Sequence, residues 1–386
     1  LAFFPFLKHR LSLSKWLKKP IQYPENIPND PLMILLPIWN EGKIIKQKLD
    51  NLSMNIKIAC SLLIIDSAST DDSVNLVKDW IKHNDSKFQS IELIEMESRL
   101  GKTTAVHKAL KHLKSSNFEG LVLMTDADAT ISKGTIDRMY GWFYNQEIGA
   151  VGARAIRSQS TGEESQYRSM FEMIRQGESN QDSTPFLEGS CMMWRMNSLD
   201  LSLLNLNSNA DDAQIATAVR LGGLRSIFDE SASFEDIAPP TIDGQRRQKV
   251  RRAQGLQRLL KDQKKNTKLR NTGRFRKIFK AQHYMHIYSP ILALGVGISA
   301  LSRWLMVSLT GMPTAIHASL GALELFCLTS WLCVRQGLRL PLLGKIGTIL
   351  TGLEYLLIAQ YNSFRGKSSH MWQQHSDTRE IISNQN

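Results

Sequence analysis

The sequence predicts an α/β protein with a Rossmann-like, mostly parallel sheet, followed by amphipathic and transmembrane helices. Between residues 32 and 125, four short apolar segments alternate with segments of helical periodicity, the pattern of strands connected by single helices. Residues 245–280 then carry 15 Lys or Arg against one acid, and three long apolar segments follow. These observations separate an α/β catalytic part from a membrane-associated part.

The first half of the chain supplies the predicted parallel sheet. Its strands and the helices between them are expected at Leu32–Leu36, Lys43–Leu52, Cys60–Ile65, Ser73–His83, Ile91–Met96, Gly101–Leu113 and Leu121–Thr125. Pro37 is expected to end the first strand because proline lacks an amide donor. Ligands gather at the carboxyl ends of parallel strands, so Asp66, Asp126 and Asp128 are candidate site residues.

The next elements are less regular. We expect a strand at Gly149–Ile156, a helix at Glu163–Ser179, a Gly-Ser turn within Leu187–Arg195 and a short strand at Ser226–Phe228. Asn209–Asp212 is expected to cap a helix at Ala213–Leu221. Phe234–Pro240 is expected to be a loop.

The formal net charge of +12 comes from one basic block on an otherwise balanced chain of 386 residues. Its position before an apolar segment favours anionic lipid as its partner, and nucleic acid is not expected. The four cysteines show no metal-binding spacing, which indicates free thiols in a reducing compartment. Leu1–Leu13 is too short to span a bilayer and lacks a cleavage site. We interpret it as an interfacial segment or the remnant of an N-terminal membrane helix.

The C-terminal part is predicted to be membrane-bound. Gln245–Leu260 has an apolar side and an arginine-rich side, as in a helix that lies on an anionic membrane surface. About three transmembrane helices are expected, at Ile287–Leu309, Ala315–Val334 and Leu342–Tyr361, with the basic side in the cytoplasm. The last two contain central charges, so a buried helical hairpin is the alternative.

Several residues could carry chemistry, and each has a plainer interpretation. Asp126 and Asp128 could hold Mg²⁺ or Mn²⁺, or form a solvated turn that caps the next helix. Lys102 lies in a Gly-Lys-Thr-Thr segment like the end of a phosphate-binding loop, but Met96 stands where such a loop needs glycine. It could contact a diphosphate or simply begin a helix.

Two further groups have the same ambiguity. Asp211 and Asp212 could be catalytic or could cap a helix. Gln248, Arg251 and Arg252 could bind phosphate or form the solvated face of an amphipathic helix.

The order of these features resembles the family-2 inverting glycosyltransferases, and more narrowly the membrane-bound branch with the cellulose, chitin and hyaluronan synthases. The resemblance covers roughly residues 31–255, with weaker agreement to Trp372 and Arg379. Its motifs, in chain order, are Pro37-Ile38-Trp39-Asn40-Glu41, Ile65–Asp71, Gly101-Lys102, Asp126-Ala127-Asp128, Gly189-Ser190, Ala210–Ala213 and Gln248–Arg252.

The resemblance implies a glycosyltransferase-A fold and a role for each motif. Pro37, Asn40, Glu41 and Asp66 would bind the nucleoside, and Lys102 and Asp126 would lie at the donor diphosphate. Asp126 and Asp128 would hold Mg²⁺ or Mn²⁺. Asp212 would be the general base. The acceptor and phosphate side would comprise Gly189, Ser190, Asp211, Gln248, Arg251 and Arg252.

The chain departs from the family pattern at two positions. Arg252 stands where the processive synthases have a tryptophan that stacks on the acceptor sugar, and Ala68 replaces the usual glycine of the nucleoside turn. The expected function is transfer from a nucleotide-diphosphate sugar, UDP-linked, to a lipid-linked or polysaccharide acceptor. A processive polysaccharide synthase is the first alternative. A non-catalytic membrane or nucleic-acid binding protein is the second.

The expected division of the chain follows from these segments. Residues 1–30 form an N-terminal segment and linker, 31–243 the catalytic domain and 244–282 the basic interfacial region. Residues 283–365 form the transmembrane helices, and 366–386 the C-terminal tail.

Overall fold

The computed structural model describes residues 4–158, 162–237, 239, 241–311, 314–338, 341–367, 379, 380 and 382. Of the sequence expectations, the first three residues of the N-terminal segment, Ala238 and Pro240 of the predicted loop, and most of the C-terminal tail with Trp372 lie outside this part of the chain.

Eight described strands form one mixed sheet in the order β3-β2-β1-β4-β7-β6-β8-β5. Strands β1 to β4 pair in parallel, β7 is antiparallel to β4 and β6, and β6 is parallel to β8. The strands are β1 Leu32–Ile38, β2 Cys60–Asp66, β3 Ile91–Glu95, β4 Leu121–Thr125, β5 Thr130–Ile131, β6 Ile148–Ser158, β7 Cys191–Arg195 and β8 Arg225–Ile237. The predicted α/β class with a largely parallel sheet is confirmed.

Helices cover both faces of this sheet and continue beyond it. They are α1 Phe4–Trp16, α2 Ile45–Asn55, α3 Ser73–Asn84, α4 Lys102–Ser115, α5 Thr135–Gly141, α6 Gly162–Gln181, α7 Asp211–Leu221, α8 Ile242–Lys264, α9 Arg274–His283, α10 Ser289–Thr310, α11 Ala315–Arg335 and α12 Pro341–Phe364. A π-helical turn, Tyr284–Tyr288, joins α9 to α10.

The core lies on both faces of the sheet because the central strands are apolar throughout. All five residues of β4 are buried, and alternate ones contribute to two different clusters. One cluster packs under α2 and α3, and the other under α4 and α7. A strand buried on both faces gives a continuous apolar segment, which is why Leu121–Thr125 could be recognised in the sequence.

Three local expectations were wrong. Strand β1 continues through Pro37 to Ile38, because its pairing with β4 ends at Leu35 and no hydrogen bond is needed there. Strand β8 runs to Ile237, so Phe234–Ile237 pairs with β6 instead of forming a loop. Helix α7 begins at Asp211, and its N-cap residue, Ala210, makes no side-chain capping bond.

The N-terminal segment contains a helix that packs on the catalytic part of the chain. In α1, Leu13 is buried beside Gly177 of α6, and His9 Nε2 lies 3.2 Å from Glu178 Oε1. Those contacts explain why the segment is apolar although it is too short to span a bilayer.

Two described helical segments are long and apolar enough to cross a membrane, rather than the expected three. They are Arg274–Thr310, which includes α10, and Ala315–Arg335, which is α11. The third expected span, α12, instead packs against α8 and α11. Its central Glu354 accepts from Arg246 at 2.7 Å and from Trp331 at 2.8 Å, so its charge is paired with those neighbours.

The charges inside the two candidate spans are paired with one another. Arg303 of α10 forms an ion pair with Glu324 of α11, and the indole of Trp304 donates to the same carboxylate at 2.8 Å. Pairing between neighbouring helices lowers the cost of a charged residue at membrane depth.

Candidate active site

Asp126 lies at the centre of a charged cluster just after the carboxyl end of β4. Its Oδ1 is 2.6 Å from Nζ of Lys102, the first residue of α4, and its Oδ2 accepts a hydrogen bond from Ser190 at 3.2 Å. Lys102 Nζ also lies 3.4 Å from Asp211 Oδ2. Burial opposes the charge on Lys102, but the two carboxylates outweigh it and raise the lysine pKa. The cluster therefore joins four residues that the sequence analysis had singled out separately.

Asp212 differs from Asp126 because its bonds are to backbone amides. Its Oδ2 accepts from the Gly189 amide at 3.1 Å, and its Oδ1 accepts from the Ala213 amide at 2.7 Å. Burial, together with the neighbouring Asp211, raises the pKa of this carboxyl to about 6, while Arg252 opposes the shift. A carboxylate with such a pKa can accept a proton near neutral pH.

The predicted nucleoside turn is tied together by its own polar groups. Asp66, the last residue of β2, accepts from the Ser69 amide at 2.9 Å and from the Ser69 hydroxyl at 2.5 Å. Asn40 accepts from the Thr70 amide at 2.7 Å, which links the loop after β1 to the loop after β2. Ala68 has a φ of 58°, a left-handed conformation that normally favours glycine. Pro37 lies inside β1, paired with Ile65.

Arg379 connects the nucleoside side of the site to the acidic pair. Its guanidinium contacts both carboxylate oxygens of Glu41, at 3.0 and 2.8 Å, and lies 3.1 Å from Asp128 Oδ2. Burial opposes ionisation of Asp128, but Arg379 and Lys102 outweigh it and lower its pKa. Arg379 lies at the weak end of the family resemblance, and nothing in its local sequence indicates a site.

The predicted acceptor side contains a second cluster of opposite charges. Glu188 accepts from Arg175 and from Arg252, each at 2.6 Å. Burial opposes ionisation, yet these arginines and Arg168 hold the pKa of Glu188 well below its usual range. Burial lowers the pKa of Arg251, and the negative charges of Asp211 and Asp126 oppose this lowering.

Gln248 of α8 lines a cavity together with Glu188 and Arg252. Glu188 was not predicted, although it directly precedes the Gly189-Ser190 turn. In the sequence, the only sign of Glu188 was an acid next to a Gly-Ser turn.

A second residue missed by the sequence analysis is Lys48 of α2. It is buried directly behind the acidic turn and donates to Thr125 Oγ1 at 2.7 Å and to the Ala129 carbonyl at 2.5 Å. Burial lowers its pKa to about 8, against the charges of Asp126 and Asp128 among others. Lys48 thereby ties the end of β4 to the residue just after the acidic pair, which fixes the turn that presents both carboxylates.

Asp126 and Asp128 fit a hard divalent cation in the chemistry of their donor atoms. Both offer carboxylate oxygens, which Mg²⁺ and Mn²⁺ prefer. Among the described residues, no group of three or more His, Cys, Asp or Glu side chains forms a metal site on its own. Two protein carboxylates with the remaining positions left to phosphate and water is a usual arrangement for Mg²⁺.

This geometry defines a class of protein. A parallel half-sheet ends in a polar nucleoside turn, a lysine and two acids suited to a metal diphosphate, and a separate carboxylate of raised pKa. Transfer of a sugar from a nucleotide-diphosphate donor needs this set of groups: charge neutralisation on the leaving group and a base for the incoming hydroxyl. The chain therefore has a glycosyltransferase-A fold, with a site whose groups suit that reaction.

Comparison with known proteins gives the family. Residues 33–201 match the family described as "Glycosyl transferase family 2", so this part of the chain is a family-2 glycosyltransferase domain. The matched segment contains the nucleoside turn, Lys102, the acidic pair and the Gly189-Ser190 turn.

The relatives of known structure and name agree with that assignment. A mannosyltransferase from Pyrobaculum calidifontis, solved with GDP-Man and Mn²⁺, superposes with a TM-score of 0.74 and 25% identity, over 94% of this chain and 95% of that one. Poly-beta-1,6-N-acetyl-D-glucosamine synthases of Staphylococcus epidermidis (24% identical) and Staphylococcus aureus strain COL (22% identical) match over 231 residues, 58% of this chain. The chain spans 54% of the length of these two relatives.

Proposed function

We propose that this chain is a membrane-associated, metal-dependent, inverting glycosyltransferase. It takes a sugar from a nucleotide-diphosphate sugar, UDP-linked, and transfers it to a hydroxyl group on a lipid-linked or glycan acceptor. The catalytic domain lies on the cytoplasmic side, beside the basic region. The observation that carries this proposal is the separation of two carboxylate groups: Asp126 with Lys102 on one side, and Asp212 with the Gly189 amide on the other.

The donor side consists of groups that hold a nucleoside and a diphosphate. Asn40, Glu41 and Asp66 bind the nucleoside, with Pro37 shaping the end of β1. Lys102 contacts the diphosphate as a point charge. Asp126 and Asp128 would hold Mg²⁺ or Mn²⁺, which neutralises charge on the leaving diphosphate when it is bound.

The acceptor side supplies the base. Asp212 Oδ2 takes the proton of the acceptor hydroxyl, and the hydroxyl oxygen bonds to the anomeric carbon as the bond to the diphosphate breaks. An in-line displacement of this kind inverts the anomeric configuration. The Gly189 amide orients the carboxylate, while Ser190 and Asp211 connect the acceptor side to Asp126 and Lys102. Arg251 adds positive charge near the leaving group.

Membrane association rests on the helices after the catalytic domain. Both candidate spans expose large apolar side chains, among them Leu301, Leu309, Ile316 and Leu325. Burying such surfaces in lipid stabilises the chain. The basic residues of 245–280 lie at the start of the first span, where they would contact anionic headgroups.

The test is release of nucleoside diphosphate by the purified, detergent-solubilised chain. UDP-GlcNAc, other UDP-sugars and GDP-Man are compared with Mn²⁺, with Mg²⁺ and with EDTA. We expect metal-dependent release from a UDP-sugar and almost none from the Asp126→Asn variant. Release from GDP-Man alone would contradict the UDP assignment. Unchanged turnover of Asp126→Asn would contradict the site.

A processive polysaccharide synthase is the second candidate, supported by the names of the curated relatives. Arg252 at the position of the stacking tryptophan weighs against it, because a charged side chain gives a sugar ring no flat apolar face. Separation of the products by size distinguishes the candidates: a single addition gives one product, and a processive enzyme gives a ladder of long chains.

A further inference from the structure

A cavity of about 150 Å³ lies where the catalytic domain meets the C-terminal helices. Strand β6, helices α6, α8 and α12 and the π-helical turn all contribute side chains to it. Its wall is largely apolar, with Phe171, Ile174, Phe186, Leu256, Ile349 and Leu353 among the lining residues. An apolar cavity of this size holds a benzene-sized hydrocarbon group, which is comparable to one short segment of a lipid chain.

The charged residues that line the cavity are mostly basic. Five Lys or Arg side chains line it against two acids, Glu172 and Glu188. Glu188 is shared between Arg175 and Arg252, and Glu172 is paired with Arg154, which lies outside the lining. Arg157 is paired with Asp236, also outside the lining. With these partners included, the charge around the cavity is still positive. A phosphate group complements such an arginine-rich lining because guanidinium groups bind its oxygens in pairs.

Two of these charged residues, Glu188 and Arg252, adjoin the candidate base. Glu188 immediately precedes Gly189, whose amide donates to Asp212 at 3.1 Å. Arg252, at the position of the synthases' stacking tryptophan, lines the cavity and also lowers the pKa of Asp212. The lining also reaches the candidate membrane span, since Met285 and Ser289 line the cavity where α10 begins. A molecule in the cavity would thus extend from the membrane side toward the acceptor side of the site.

From these contacts we propose that the cavity binds a lipid phosphate, the anchor of the acceptor. The first part of the hydrocarbon chain packs against α6, α8 and α12, and the phosphate contacts Arg168, Arg175 and Arg252. The acceptor hydroxyl, carried on that phosphate, then faces Asp212. This inference rests on the proposed glycosyltransferase function and narrows its acceptor to a lipid-linked one, because an apolar wall offers a growing sugar chain few hydrogen-bond partners.

Gly352 gives a way to fill the cavity without disturbing the helix around it. It lines the cavity from α12, and a Cβ built on it would meet no described atom within 4 Å. Leucine is a better helix former than glycine, so Gly352→Leu puts a side chain into the cavity while favouring the helix. Gly297 of α10 is the matched control, since it is also helical and without a described atom within 4 Å of its Cβ position. Unlike Gly352, it is exposed and lies outside the cavity lining.

The experiment is calorimetric titration of the full chain in detergent with farnesyl phosphate, farnesol and inorganic phosphate. We expect farnesyl phosphate to bind at least about tenfold more tightly than either fragment. Gly352→Leu should weaken it by about tenfold or more, and Gly297→Leu should match the unsubstituted chain. Arg168→Gln should also weaken it, whereas Arg276→Gln, on exposed α9 surface, should not. Melting temperatures report whether each variant folds.

Other outcomes overturn the inference. Equal binding of inorganic phosphate would indicate a simple anion site, and equal binding of farnesol would indicate partition of a hydrocarbon. Farnesyl phosphate binding that Gly352→Leu leaves unchanged in a folded variant would locate the lipid elsewhere. Release of nucleoside diphosphate is measured on the same samples. Turnover without lipid binding would refute this inference alone, and lipid binding without turnover of any nucleotide sugar would refute the proposed function alone.

Discussion

The two carboxylate pairs of the site differ in the groups that contact them. Each member of Asp126 and Asp128 faces a cation, Lys102 in one case and Arg379 in the other. In the second pair only Asp211 approaches a lysine, while Asp212 accepts from the Gly189 and Ala213 amides. Arg379 and Lys102 lower the pKa of Asp128, whereas burial raises the pKa of Asp126 in spite of Lys102 and, together with Asp211, raises that of Asp212 to about 6.

That difference separates two kinds of work. Asp126 and Asp128 already lie next to positively charged side chains. Such carboxylates are suited to hold a metal ion, which would take over part of that positive charge. A carboxylate held by amides and crowded by a second acid is poised to take up a proton. Under the proposed function, aspartates at the end of β4 would serve the leaving group, and Asp212 near the start of α7 would serve the incoming hydroxyl.

The largest effect is expected from Asp212→Asn. The amide keeps the shape of the side chain but cannot accept a proton, so kcat should fall by about 10²–10⁴-fold with the donor KM little changed. Steady-state kinetics measure both constants, with the nucleotide sugar that gives release in the donor comparison. The matched control is Asp243→Asn, an exposed acid at the start of α8. A weaker affinity for the donor with an unchanged kcat would place Asp212 on the donor side. The two carboxylate pairs would then not have different roles.

Asp128→Asn should act on the metal rather than on the proton. Loss of one carboxylate ligand should raise the Mn²⁺ concentration for half-maximal turnover by about tenfold or more, while saturating Mn²⁺ restores part of the rate. Titration of turnover with Mn²⁺ gives this midpoint for Asp128→Asn and for Asp212→Asn. If Asp212→Asn shifted the midpoint as much as Asp128→Asn, the two pairs would not have separate roles.

The pH dependence should follow Asp212. Its carboxylate must be ionised to act as a base, so kcat/KM should fall as the pH drops below about 6. Arg252 lowers this pKa, and Arg252→Gln should therefore move the acidic limb to higher pH, whatever it does to the absolute rate. Arg276→Gln removes the same charge from an exposed position and should leave the limb in place. A limb that moved to lower pH would contradict the assignment.

Most of the donor side could be predicted from sequence because it is local. Each of its groups follows a buried strand or begins a helix within a few residues, as Asp66 follows β2 and Lys102 begins α4. The parallel order of the strands then brings these ends together. Lys48 and Arg379 were not predicted because their partners lie far away in the sequence. Lys48 is 77 positions from Thr125, and Arg379 is 338 positions from Glu41.

The acceptor side depended on tertiary packing. The motif at 248–252 indicated Arg252, but only the fold brings it to Glu188, 64 positions away, and forms the cavity between them and α12. Similarly, Glu354 predicted a poor membrane span from its charge, yet its partners in α8 and α11 could not be read from the segment itself. Ion pairs between distant helices leave no periodic signal in the sequence.

The smallest predicted effect concerns Ala68, whose left-handed backbone conformation shapes the nucleoside turn on the donor side. Its φ of 58° costs a non-glycine residue about 1–2 kcal/mol, partly offset in a glycine variant by the larger entropy of the unfolded chain. Ala68→Gly should therefore raise the free energy of unfolding by about 0.5–1 kcal/mol. Ala105→Gly, inside α4, should lower it by about 1 kcal/mol or more. Thermal unfolding of the two variants should give shifts of opposite sign. If both variants were destabilised, the positive φ of Ala68 would cost the folded state no free energy. The hydrogen bonds to Asp66 and Asn40 would then account for the conformation of the turn.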